Sequence, residues 1–366
     1  MSIDSVNIVF HNKTINFSLI LYTSVGNESG FDMQIQQKEI AELAGVSYAT
    51  VSRALNGTAK VKPETMQKIR NAMHQLGIVN YDDIFIGKNI LSKHILVTVG
   101  DISYNFFAEI YKAIYSVLQP LGYSLVLCNS GFDTELELDC MKKASENGYA
   151  GIIMLTANET PELLSFILES RIPVIIVNRR IRAMDLDTVR VDNYREGYIA
   201  AQHLFDNGHR NVAILSGPTN SITAKDCERG FTDCPRDNGI SFSKDCIVHS
   251  DLSPKSAERF VKWLHERDFR YTGLFIVNDH MASSVVHCLA RYGIRVPHDI
   301  SMICQDDSPL VNESGLNMTV ICSNPDVLGA KAAEIFLSRH KDLLGERTQI
   351  VFPPQLIQRS SIKRIK

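Results

Sequence analysis

The run Ile40-Ala41-Glu42-Leu43-Ala44-Gly45-Val46-Ser47-Tyr48-Ala49-Thr50-Val51-Ser52-Arg53-Ala54-Leu55-Asn56-Gly57 constrains this chain more than any other part of it. It reads as two short helices joined by a tight glycine turn. Ile40, Leu43 and Ala44 fall on one side of the first helix. Gly45 breaks it, because a residue without Cβ takes left-handed backbone at no steric cost. Val46 plugs the corner. Ser47 is placed to cap the second helix by accepting from its first free N–H groups. In that helix Val51, Ala54 and Leu55 point inward, while Tyr48, Ala49, Ser52, Arg53 and Asn56 point outward. A short helix offering a small residue, an aromatic hydroxyl and an arginine suits the major groove of DNA. Taken alone, the same run would also serve as a helical hairpin inside a core.

Charge bears on that choice. The chain has 366 residues and a formal net charge of −3, so it is no basic coat for nucleic acid. Between Met33 and Asn80, however, Lys38, Arg53, Lys60, Lys62, Lys68 and Arg70 outnumber Glu39, Glu42 and Glu64. A local positive balance inside an acidic protein is a modest electrostatic footprint for DNA. The length allows two or three domains, and 45% apolar residues allow them sizeable cores.

The eight cysteines form no C-x-x-C pair and no His/Cys cluster of zinc spacing, so they read as reduced thiols of a cytoplasmic protein. No metal and no cofactor are expected. The apolar stretch 15–25 is too short to span a membrane, which takes about 20 residues. Residues 1–32 lack the basic start and small-residue cleavage site of a secretory signal. They read as a disordered or non-native extension, with translation starting at Met33.

A third helix follows the hairpin. Pro63 suits its first position, and Met66, Ile69, Met73 and Leu76 recur at helical spacing. Residues 33–80 thus form a small all-α headpiece, and 81–92 a linker. From residue 93 the pattern becomes apolar strands of about five residues alternating with helices: strands at 95–99, 124–128, 151–155, 173–177, 212–215, 273–277 and 301–304. This is the signature of parallel sheets covered on both faces. There are too many strands for one sheet, so two doubly wound lobes are expected. The N-lobe would take 93–190 and 318–344, the C-lobe 191–317 and 345–366. Ligands bind beyond the carboxyl ends of such strands. Residues 101–107, 178–180, 216–223, 278–279 and 306–307 would therefore line a cleft between the lobes, each with helix capping as its alternative duty.

The chain resembles the LacI/GalR family of transcriptional regulators over residues 33–361. The run from Ile40 to Gly57 carries the resemblance, joined by Asp101-Ile102…Phe106-Phe107-Ala108-Glu109-Ile110, Val191-Asp192-Asn193…Gly197, and His203-Leu204…Gly208-His209-Arg210-Asn211-Val212-Ala213. Asn278-Asp279…Met281-Ala282, Gly293-Ile294-Arg295-Val296-Pro297, Asp306-Asp307 and Pro354…Leu356-Ile357…Arg359 extend it. The resemblance implies a helix-turn-helix headpiece on a periplasmic-binding-protein-like core. It implies a homodimer or tetramer that represses from a double-stranded operator under allosteric control of a small sugar-like effector. Tyr48, Ala49 and Arg53 would read bases. Ser47, Thr50, Ser52 and Asn56 would meet phosphates or support the helix. Phe106 and Phe107 would wall the effector, with Ser221, Thr223 and Leu252 on the far lobe and Asn278 and Asp306 binding its hydroxyl or N–H groups.

Three departures from the family pattern matter. Its hinge, whose leucine wedges into the minor groove, is replaced by Ile84-Phe85-Ile86-Gly87 after Asp82-Asp83, which predicts a less bent operator. The family's ligand-binding arginine, three residues before Gly230-Phe231, is Cys227. The usual serine cap of the third helix is Lys62, which cannot accept a hydrogen bond.

Two other classes compete. A pure sugar-binding module like a transport receptor would carry a signal peptide and no helix hairpin; the alternative kept is a solute-binding module with vestigial or weak DNA binding. An enzyme is disfavoured because G-x-S-x-G, G-x-x-x-x-G-K-[ST] and helix-opening G-x-G-x-x-G are all missing, and Asp306-Asp307 with His209, His280 and His287 make no nucleophile–base pattern.

Overall fold

The computed structural model describes residues 6–10, 13–17, 38–56, 61–76 and 93–365, except 158, 171, 242, 313–316 and 344. Ile84, Phe85, Ile86 and Gly87 lie outside the described residues, as do the side chains of Leu55 and Asn56. The chain divides into two compact units, Met1–Ile90 and Leu91–Lys366.

In the first unit, within the stretch expected to lack ordered elements, Val6–Phe10 (β1) and Lys13–Phe17 (β2) pair as an antiparallel hairpin. Three helices follow: 38–44 (α1), Tyr48–Asn56 (α2) and Pro63–Gln75 (α3). Gly45, at φ +63°, closes α1, with Gly45 N–H bonded to Glu42 C=O and Val46 N–H to Ala41 C=O. Ile40, Ala41, Ala44, Val51, Ala54, Ile69, Ala72 and Met73 make one small core. Leu43, expected in that core, is 51% exposed, and Ala41 takes its place. α1 turns its 40/41/44 edge inward, which leaves position 43 outside.

The second unit holds two six-stranded sheets. The N-lobe sheet runs β4 (Ser124–Asn129), β3 (His94–Val99), β5 (Gly151–Met154), β6 (Val174–Val177), β7 (Asp187–Val191), β13 (Gln349–Phe352), parallel throughout. The C-lobe sheet runs β9 (Ile247–His249), β8 (Val212–Ser216), β10 (Gly273–Ile276), β11 (Ser301–Gln305), β12 (Thr319–Cys322), β14 (Gln355–Ile357). Only β14 is antiparallel there. Helices cover both faces of each sheet. On the N-lobe, α4 (Asn105–Leu118) and the late helix Pro325–Lys341 cover one face, and α5 (Thr134–Glu146) and α6 (Pro161–Glu169) the other. On the C-lobe, α7 (Asn193–Asp206) and α8 (Ile222–Asp237) face α9 (Pro254–His265) and α10 (Asp279–Arg291) across the sheet. The late helix is α11.

The lobe boundaries differ from the expected ones. β12 pairs with β11 and belongs to the C-lobe, whereas β13 pairs with β7 and belongs to the N-lobe. Thr319–Cys322 is buried throughout, so it needs the doubly covered slot beside β11. The chain therefore changes lobe after β7, after β12 and after β13. α7 and α8 cross at backbone contact: a Cβ on Gly197 would lie 1.9 Å from the Cys227 carbonyl oxygen, and one on Gly230 1.9 Å from that of Tyr194.

Candidate functional site

The headpiece presents its second helix on a capped, packed base. Ser47 Oγ accepts from Thr50 N–H at 3.1 Å and meets Thr50 Oγ1 at 2.8 Å. Val51 and Ala54 are buried beneath. Tyr48, Ala49 and Arg53 stand exposed on the outer side, with Thr50 and Ser52 half-buried at its edge. Lys62 stands before α3, where its backbone C=O accepts from Met66 N–H.

In the second unit the strand ends meet as expected, and the lobes touch across them. Tyr104 Oη donates to Leu252 C=O at 3.4 Å, the Tyr104 and His280 rings lie edge to face at 5.7 Å, and Arg180 pairs with Asp226 at 3.3 Å. An inner cavity is walled by Asn178, Asn193, Ser221, Thr223, Cys227, Leu252 and Gln305. An outer one, sharing Leu252, has Asp101, Ser103, Tyr104 and His280.

Several expected contacts fall elsewhere. Phe107 is 6% exposed in the N-lobe core, and Phe106 packs partly on that core. The aromatic at the cavity is Tyr104, which holds extended backbone just before α4. Phe107, three residues further on, is carried round onto the sheet. Asn278 spends its side-chain oxygen on the Met281 N–H at 3.0 Å, capping α10, and Val277 lines the cavity instead. Asp306, at φ +70°, accepts from Ser323 Oγ at 3.3 Å below the cavity wall formed by Gln305. Asp307 holds Arg359 through two bonds of 2.8 and 2.7 Å. Ser221 caps α8 and bonds Thr223 at 2.9 Å.

Sequence reasoning missed the group beneath the inner cavity. Glu196, fully buried on α7, accepts from Asn193 Nδ2 at 2.7 Å, Gln305 Nε2 at 2.8 Å and Ser323 Oγ at 2.8 Å. Burial pushes its carboxyl up to about 7, against the pull of those three donors. Burial also holds Asp306 well above the usual carboxylate range, reinforced by the charges of Asp279 and Glu196. Cys227 lies beside Glu196, and burial raises its thiol far enough to keep it neutral. Three acid groups thus meet where no cation lines the inner cavity. The Asn178 side-chain oxygen is buried there without a hydrogen-bond partner among the described residues. The only hint in the sequence was Asn193 and Glu196 inside the Val191-Asp192-Asn193…Gly197 string. The described cysteines are all free thiols, no metal-binding group of His, Cys, Asp and Glu occurs among the described residues, and no described helix is long and apolar enough to cross a membrane.

Known proteins match both units. Residues 37–79 fit the family described as bacterial regulatory proteins, lacI family, and residues 201–362 the periplasmic binding protein-like domain. The HTH-type transcriptional repressor PurR of Aliivibrio fischeri strain MJ11 is 30% identical over 333 residues, covering 89% of this chain and 97% of its own. Among solved structures, the transcriptional regulator CelR–cellobiose complex superposes with a TM-score of 0.69 at 22% identity, covering 89% of this chain and 99% of that one. The lac repressor dimer bound to operator and the anti-inducer ONPF gives a TM-score of 0.69 at 22% identity, over 88% of this chain and 98% of that one.

Proposed function

The chain belongs to the LacI family of bacterial regulatory proteins and is a DNA-binding transcriptional regulator, not an enzyme; we propose that it represses from a two-fold operator read by Tyr48, Ala49 and Arg53, and that an uncharged polar effector in the lobe cleft controls it. A homodimer would place two recognition helices on successive major-groove faces, in the cytoplasm at the nucleoid. Arg53 would pair with a guanine edge, and Ser47, Thr50, Ser52 and Asn56 would hold the helix to phosphates and set register. The observation that carries this reading is the exposed Tyr48-Ala49-Arg53 edge over a buried, capped base. Selection from random duplex DNA should enrich a two-fold motif. Arg53→Ala should lose roughly 1–3 kcal/mol of discrimination at one base of each half-site. Unchanged operator preference in that variant would refute the reading. Gly87 cannot wedge between bases, so a phasing gel should show less operator bending than an apolar minor-groove wedge produces.

For the effector, Cys227 stands where a gripping guanidinium would stand. The inner cavity offers Asn178, Asn193, Ser221, Thr223 and Gln305, groups that exchange hydrogen bonds with hydroxyls. The unpartnered Asn178 oxygen asks for a donor. A neutral polyol such as a sugar fits; a sugar phosphate would bring an uncompensated charge beside Glu196 and Asp306. A thermal-shift screen should give stabilisation by neutral sugars; a screen in which no neutral sugar stabilises the chain would refute this reading.

A further inference from the structure

The N-lobe carries an unclaimed cluster of cations outside the cleft. Arg180 follows β6, Arg182 lies two residues on, and Arg190 sits on β7; all three line one cavity at the lobe's edge with Asp185. The carboxylates near them are Asp185, Asp192, Asp226 and Glu159, whose side-chain oxygens also hold other donors; Glu159 accepts from the Arg182 and Ala183 N–H groups. Asp185 takes the Gln349 side-chain amide. Asp226 is shared between Arg180 and Arg229, each at 3.3 Å. Asp192 caps α7 through Arg195 N–H at 3.0 Å. Among the described residues Arg182 and Arg190 form no ion pair, and Arg180 Nε is buried without a hydrogen-bond partner. Burial and the nearby Arg180 lower the pKa of Arg190, while Asp192 and Asp226 pull it the other way without overcoming them. Three guanidinium groups against the single carboxylate of Asp185 in one recess leave a positive excess that an anion would offset.

We propose that this cavity is a binding site for a small phosphate dianion, free or as a monoester. Planar guanidinium forks match phosphate oxygens two by two, which isolated lysines would not. The site also reaches the regulatory machinery. Arg180 is an N-lobe residue whose partner Asp226 lies on α8 of the C-lobe. A phosphate that draws Arg180 away loosens a tie between the lobes, so its binding and lobe closure oppose each other reciprocally.

The test is titration of the full chain with inorganic phosphate and with glycerol 3-phosphate, ionic strength being held constant with sodium chloride. One saturable site per chain is expected for at least one of the two. The preferred anion tells whether free phosphate or a monoester is the source. The Arg182→Gln/Arg190→Gln double variant should bind at least ten-fold more weakly with an unchanged circular dichroism spectrum. Asp226→Asn, which releases Arg180, should bind several-fold more tightly. Equal binding by the double variant, or no binding beyond that of chloride, would overturn the proposal.

Discussion

The two lobes share one plan, six strands with helices on both faces, yet they treat buried charge in opposite ways. The N-lobe pairs it. Asp187, 1% exposed, receives Arg339 through bonds of 2.6 and 2.9 Å, with Arg347 at 3.1 Å and the Thr348 N–H at 2.8 Å. Arg179, lowered by burial to about 10, sits near Glu137, whose own carboxyl is raised by burial and steadied by Thr98 and Thr156. The C-lobe instead gathers Glu196, Asp279 and Asp306 without a buried cation among the described residues, and for Glu196 and Asp306 burial raises the carboxyl, so protonation does for them what pairing does in the N-lobe. A common architecture therefore leaves the chemistry of a cleft wall to a handful of side chains. Cys227, a neutral thiol beside Glu196, offers that acid no cation to pair with.

The sharpest way to break this contrast is to remove a partner in the N-lobe. Arg339→Ala should leave buried Asp187 with only the part-exposed Arg347 as counter-charge and cost about 3 kcal/mol in urea unfolding. A loss under 1 kcal/mol would mean that the pair is not the N-lobe's way of holding charge. Next comes the opposite pH dependence of the two lobes. Burial tends to raise Asp187, but Arg339, Thr348 and Arg347 outweigh it and hold the carboxyl below its usual range. Its contribution is present above that range and is lost as pH falls through the depressed value. Glu196 runs the other way, because the folded state binds the proton more tightly. Stability falls as pH rises from 4.5, the ordinary value, to about 7. The change is on the order of 3 kcal/mol at ~1.36 kcal/mol per unit. Glu196→Gln should flatten that slope in urea midpoints measured from acid to neutral pH; parallel curves for variant and parent would sink the account.

Smaller effects sharpen the picture of the cleft. Ser221→Ala removes the α8 cap and should cost about 1 kcal/mol by thermal unfolding, with no change in pH slope. Tyr104→Phe loses a long hydrogen bond to Leu252 and should cost about 0.5 kcal/mol. Its mark should be a more open core in small-angle scattering rather than a lower melting point. A Tyr104→Phe core that scatters like the parent would show that Tyr104 does not hold the lobes together.

Legibility followed the range of the interactions. Strands such as Val174–Val177 and Gly273–Ile276 announce themselves as short apolar runs because every residue is buried. Asp187–Val191 hides because Asp187 and Arg190 interrupt it, and the distant Arg339 and Arg347 make that acid tolerable in a strand. Ile222–Asp237 hides because Pro235 lies inside it and Phe231 is the one large apolar residue on an inward face otherwise made of Ala224, Cys227, Gly230 and Cys234. Phe106-Phe107 looked like a ligand wall because side-chain direction three residues into a helix depends on where that helix starts.

By itself the sequence determined the recognition helix, its glycine turn and serine cap, the alternation that makes two doubly wound lobes, and the family. All of these rest on contacts within a few residues, where spacing is geometry. Only the tertiary structure decided which lobe received Thr319–Cys322 and Gln349–Phe352, that Tyr104 replaces Phe107 at the cavity, and that Glu196, Asp279 and Asp306 share one buried neighbourhood. Those outcomes depend on which strand ends meet after the chain has crossed between lobes, and on the desolvation that follows. No local spacing encodes either.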